Sequence, residues 1–107
     1  MQLLTNTIRK QLPPLYSQEA LGLNALARVK FFTPDSNWSW YASEFDGQDT
    51  FFGLVNGMEL ELGYFSLSEL EQVRGNFGLP IERESYFKPT PLQIIYTHLK
   101  AERKPFI

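Results

Sequence analysis

Glu59 and Glu61 are the side chains whose type and spacing point most directly to chemistry. On a β-strand they would share one face about 7 Å apart, because a strand rises ~3.3 Å per residue. Carboxylates near that distance can act as acid and base or bind a hard cation. On a wet strand face the same spacing more often serves solubility. His98 is the single histidine, and the residues one helical turn from it, Ile94 and Glu102, make no acid–base constellation. Asp46-Gly47-Gln48-Asp49 copies only the opening of a calcium loop and lacks its closing glutamate. The glycines at 53, 57, 63, 75 and 78 do not lead from strand to helix in a phosphate-binding pattern. Ser39, Ser43, Ser66 and Ser68 have no base in view. No catalytic residue, metal ligand or cofactor is expected, and the chain reads as non-enzymatic.

The elements that must position these residues are organised around Lys30–Asp46, which carries both tryptophans. Ala27, Val29 and Phe31 alternate with Arg28 and Lys30, the two-residue period of a half-buried strand. Thr33-Pro34-Asp35-Ser36-Asn37 is a turn, since proline presets one dihedral and Asp, Ser and Asn bond their own backbone. Trp38–Phe45 returns, with Trp38, Trp40 and Ala42 on one face and Ser39, Tyr41 and Ser43 on the other. Asp46-Gly47 marks a second turn, Thr50–Val55 a third strand, Asn56-Gly57 a two-residue turn, and Met58–Phe65 a fourth strand.

Leu4, Ile8 and Leu12 give one stripe of a short helix, stopped by Pro13-Pro14. Leu15–Asn24 has no period and reads as a loop, with Tyr16 docking on the core. Ser66 opens a helix with a capping box to Glu69, and Gly75 is placed for its left-handed end. Ile81–Phe87 fits a short edge strand. Thr90-Pro91 reads as cap and first position of a last helix, with Leu92, Ile95 and Leu99 inward. The expected fold is α+β: an antiparallel meander of about four strands with two or three helices packed on one face.

Composition bounds the rest. The 107 residues make one domain, and 43% hydrophobic content is globular rather than disordered. Without cysteine there is no thiol chemistry, disulfide or zinc-thiolate site. No apolar run reaches the ~20 residues of a membrane helix, and Met1–Thr5 does not begin a signal peptide. A cytoplasmic protein, monomer or homodimer, is expected. The net charge of −2 conceals an asymmetry. Phe31–Val73 holds Asp35, Glu44, Asp46, Asp49, Glu59, Glu61, Glu69 and Glu71 and no Lys or Arg; the remainder, with ten basic and four acidic residues, carries +6. Such a block can steer a basic partner, or it can be no more than a solvated face. The basic residues do not interleave with the aromatics, so direct nucleic-acid binding is not expected.

The chain resembles the bacterial domain of unknown function 2958. The resemblance lies in Leu12–Tyr16, Lys30–Ser36, Trp38–Tyr41, Phe52-Gly53, Glu61–Leu70 and Gly78–Arg83. It implies no activity and no catalytic residues. It implies carriage by plasmids, integrative elements and phages, and hence an accessory role such as blunting host defence. Together with the charge block, this leads to the expectation of an inhibitor of a host defence complex such as CRISPR machinery. Its partner would be a protein with a basic surface, such as a nucleic-acid-binding effector. The candidate partner-binding residues are Asp35, Trp38, Tyr41, Glu44, Asp46, Asp49, Glu59 and Glu61. Two alternatives are a pocket protein sequestering a nucleotide-like signal against Trp38, Trp40 or Tyr41, and a metal-dependent hydrolase using Glu59 and Glu61. Millimolar magnesium, calcium or manganese is expected to leave the melting temperature unchanged; a rise would support the hydrolase.

Overall fold

The computed structural model describes residues 2–103. In chain order the elements are α1 (Asn6–Gln11), β1 (Leu26–Ala27), β2 (Val29–Phe32), β3 (Ser39–Phe45), β4 (Thr50–Asn56) and β5 (Leu60–Ser66). They continue with α2 (Leu67–Gln72), β6 (Glu82–Arg83), β7 (Thr90–Pro91) and α3 (Leu92–Glu102). The main sheet is antiparallel in the order β5-β4-β3-β2-β6, and β1 pairs with β7 in a second, two-stranded sheet. The α+β class and the meander agree with the sequence. The expected edge strand adds itself to the sheet as β6, opposite Phe31 and Phe32.

Helices cover both faces of the sheet. On one side Phe51, fully buried, centres a cluster with Phe31, Phe45 and Phe65 at ring-centroid distances of 5.5, 4.5 and 5.2 Å. Trp40, Ile8 and Leu70 pack into the same layer, which α1 and α2 close. On the other side Tyr41 and Leu54 pack against Leu92 and Leu99 of α3. Every residue of β3 is therefore buried, and Tyr41 is only 5% exposed. Tyr41 belongs to the core and is not the open partner-binding side chain the sequence suggested. A sequence read as one-face-wet could not anticipate α3 on the far side, since its stripe fits either face.

Three local readings also differ from the structure. The β4–β5 hairpin pairs as expected, but its loop is Gly57–Glu59, because the Arg103 guanidinium donates to the carbonyls of Gly57 and Met58 and to Asn56. Thr90-Pro91 is strand β7, and the Leu92 amide donates to the Ala25 carbonyl at 2.9 Å, so backbone pairing replaces the expected cap. Helix α2 keeps its Ser66 cap but ends at Gln72, and Gly75 lies beyond it against the Asp35 carboxylate.

Gly53 sits where β4 crosses β3. A Cβ there would lie 1.8 Å from the Tyr41 carbonyl oxygen, and backbone cannot swing aside as a side chain can. Gly53→Ala is expected to cost about 3 kcal/mol or more, and Trp40→Ala about 3–5 kcal/mol. Urea denaturation checks both; a loss under about 1 kcal/mol, the range of surface changes, would contradict this packing.

Candidate functional site

The central strand is irregular. Ala42 pairs with Gly53 and Glu44 with Phe52, so Ser43 is an extra residue, a β-bulge. The bulge turns Ser43 and Glu44 toward the Tyr41 side of the sheet, where they line a cavity of about 230 Å³. Phe52, Leu62 and Tyr64 from β4 and β5 form its floor, and Tyr16, Gln18, Glu19 and Gly22 arch over it.

The arch is held by Glu44. This carboxylate is 3% exposed. Oε1 accepts from the Tyr16 amide at 2.9 Å and Oε2 from the Gln18 amide at 2.8 Å. Next to it the Phe45 amide donates to the Pro13 carbonyl at 2.9 Å. Tyr16 has φ +70°, the left-handed region, and among the described residues it is the one non-glycine there. That conformation costs a non-glycine residue about 1–3 kcal/mol and persists only where its surroundings enforce it, most often at functional sites. The result reverses the expectation for Tyr16. The residue is 63% exposed instead of docked on the core, and its ring meets the Tyr64 ring edge to face at 6.5 Å. Tyr64 in turn meets Phe52 at 5.0 Å. The Tyr64 phenol is raised above its ordinary pKa, first by desolvation, then by the Tyr16 hydroxyl and by the charges of Glu19 and Glu44. It stays a neutral donor at physiological pH.

The candidate partner-binding residues do not assemble into one acidic face. Glu44 is a buried ligand of backbone amides, not a surface acid, because the bulge drives it under the arch. Asp46 Oδ1 accepts from the amides of Gln48, Asp49 and Thr50 at 2.8, 2.8 and 3.0 Å, which holds its carboxyl below the usual range. Asp49 accepts from the amide and hydroxyl of Ser68, each at 2.8 Å, at the start of α2. Asp35 accepts from the amides of Phe77 and Leu79 at 2.6 and 3.2 Å. Trp38 is 36% exposed and rests on Trp40 at 5.8 Å. Glu59 lies in the loop before β5, in an open groove that Lys100 and Arg103 also line, so it is not a strand-face partner of Glu61. Both glutamates are exposed. Among the described residues no group of three or more His, Cys, Asp or Glu is placed to hold a metal ion. No described helix is long and apolar enough to cross a membrane.

Sequence reasoning missed the pocket, though one signal was present. Ser43-Glu44 places two polar residues in succession between apolar Ala42 and Phe45, and that slip in the alternation is the bulge.

These features define a small α+β domain with a strained aromatic and carboxylate pocket at one end of its sheet. A family model described as "Protein of unknown function (DUF2958)" matches residues 3–104, and the chain belongs to that family. No curated protein and no solved structure matches it.

Glu44→Ala removes a charged acceptor from two amides and is expected to cost about 1.5–3 kcal/mol. Tyr16→Gly relieves the left-handed strain but adds chain entropy to the unfolded state, so stability is expected to stay within about 1 kcal/mol of wild type. Denaturant midpoints check both. A neutral Glu44→Ala, or a Tyr16→Gly loss above 2 kcal/mol, would contradict the geometry.

Proposed function

We propose that this protein is a binding protein for a basic partner, and that a cationic group of the partner enters the pocket under Tyr16. The observation that carries this reading is uncompensated charge. Among the described residues the single salt bridge is His98–Glu102 at 3.1 Å. Glu44 is held by neutral amides, which fix the carboxylate and leave its charge in place. Glu19 lines the same cavity. A carboxylate in a partly desolvated site attracts a cation more strongly than one in bulk water.

Three other features fit. Tyr16, Leu62 and Tyr64 are all exposed apolar groups at the cavity, and such patches mark interaction sites. Glu61, on the edge strand, makes no salt bridge among the described residues and adds negative charge to β5. The Ser43 hydroxyl donates to the Phe52 carbonyl at 3.2 Å, an arrangement that supports binding better than nucleophilic attack. A nucleic-acid-binding defence effector is a partner of this chemistry, so inhibition of a complex such as CRISPR machinery suits the reading. The acidic block contributes less than its count suggests, because Asp35, Asp46 and Asp49 are committed to backbone amides.

A lysine- and arginine-rich peptide is the direct probe. Its affinity, measured by calorimetry, is expected to fall as salt rises, because exposed charge is screened within a ~8–10 Å Debye length. Glu19→Lys and Glu61→Lys should weaken it further while the fold survives, as surface changes seldom cost more than ~0.5 kcal/mol. Equal binding at high salt, or preference for an anionic nucleotide, would overturn the proposal.

A further inference from the structure

The main sheet has one guarded edge and one open edge. β6, at one side, is two residues long, and the Arg83 guanidinium donates from it to the carbonyls of Gln2 and Leu3 at 2.7 and 2.8 Å. β5, at the other, is seven residues long, about 20 Å of backbone. Folded proteins blunt such an edge with Lys, Pro, a bulge or a cover. β5 contains no Lys or Pro, and its register on β4 runs unbroken from Leu60 to Ser66.

That register fixes which backbone groups face outward. The Leu67 amide donates to the Asp49 carbonyl at 2.8 Å, and the Gly57 amide to the Glu59 carbonyl at 3.0 Å. Both bonds continue the β4–β5 register, in which hydrogen-bonded pairs alternate with non-bonded ones. Val55–Glu61, Gly53–Gly63 and Phe51–Phe65 are therefore the bonded pairs. The amides and carbonyls of Leu62 and Tyr64 point away from the sheet, and among the described residues no backbone group outside β4 bonds them. The same two residues line the pocket with their side chains. Gly63, between them, is a second sign. Glycine weakens a strand interior and often marks the close approach of another backbone. Gly53 is required where it stands, because its Cβ would strike the Tyr41 carbonyl. A Cβ on Gly63 would meet nothing within 4 Å, and its φ is not positive, so nothing in the described fold demands glycine there.

We propose that β5 is the docking edge for an extended, basic segment of the partner, which joins the sheet antiparallel as a sixth strand. This rests on the reading of the site as a cation pocket and goes further in naming the conformation that is recognised. Main-chain bonds to Leu62 and Tyr64 hold the segment, and its alternate side chains give specificity. Residues opposite Leu62 and Tyr64 share their face and reach the pocket, where Glu19 and Glu44 attract a cation. A second copy of β5 would bring Glu61 and no Lys or Arg to this edge, which is like charge where a basic segment brings the opposite one.

The test uses the full chain, two-dimensional NMR and blocked peptides of about nine residues. The first alternates lysine with threonine and valine. The second is the same peptide methylated on the backbone nitrogens of its lysines, the ones that face β5 in the proposed pairing. The third has glutamine for every lysine. The first peptide is expected to slow hydrogen exchange at the Leu62 and Tyr64 amides about tenfold at ~90% occupancy. The Glu61 and Gly63 amides, already bonded to β4, should change little. Backbone methylation should weaken binding about tenfold or more, and the glutamine peptide should bind less well at low salt. If the first two peptides bind equally, without protection at Leu62 and Tyr64, strand addition falls while the cation pocket stands. If the glutamine peptide binds as tightly and protects the same amides, the edge docks strands without regard to charge and the basic partner falls. If these amides are protected in the free chain and lose protection on dilution, a second copy holds the edge and the proposal falls. If no peptide binds, strand addition and cation pocket fall together.

Discussion

The structure of the site depends on one carboxylate taken out of water. Glu44 lies near the end of the sheet's central strand, and burying an ion is costly unless its hydrogen bonds are made within the protein. The amides of Tyr16 and Gln18 make them. That arrangement fixes a segment with no regular structure of its own, since Leu12–Gln18 lies between α1 and the irregular 3-10 turn at Glu19–Asn24. It also explains why Tyr16 stays left-handed. To relax, the arch would have to strip the amide from Glu44 Oε1, and the loss would outweigh the relief. Strain in the arch and burial of the ion thus hold each other in place. The aromatic ring that results stands at the mouth of a cavity, a position the chain does not otherwise favour.

The bulge is the second half of the same device. A regular β3 would place Ser43 and Glu44 on opposite faces, one of them in the phenylalanine layer around Phe51. The extra residue lets both point to the cavity and returns Phe45 to the aromatic layer, where it stacks on Phe51 at 4.5 Å. The sheet keeps one core intact and opens a site on its other side.

Much of the fold was legible because it is written in local rules. Asp46-Gly47 turned the chain and Ser66 capped α2 where turn and cap chemistry require. The alternation of Leu60, Leu62 and Tyr64 set the register of β5 against β4. What was not legible depends on partners far away in sequence. Arg103 reshaped the Asn56-Gly57 loop, and β1 changed Thr90-Pro91 from cap to strand. Charge was the most misleading signal. Asp35, Asp46 and Asp49 look like one acidic surface when counted along the chain, yet each accepts from backbone N–H groups, Asp46 within its own turn and Asp35 and Asp49 from segments far along the chain. Composition records that a carboxylate is present and not what it is bonded to. Tyr16 was unreadable for a related reason: a positive φ in a residue other than glycine or asparagine is imposed by tertiary contacts and has no propensity signature.

Native-state hydrogen exchange at two amides tests the central claim most directly. If Glu44 holds the arch, the Tyr16 and Gln18 amides exchange far more slowly than the neighbouring Leu15 amide, although the segment is a surface connection between helical turns. Both should open in one step, because one carboxylate binds them. Exchange of these two amides at the rate of an unstructured peptide, or opening of one without the other, would contradict the account.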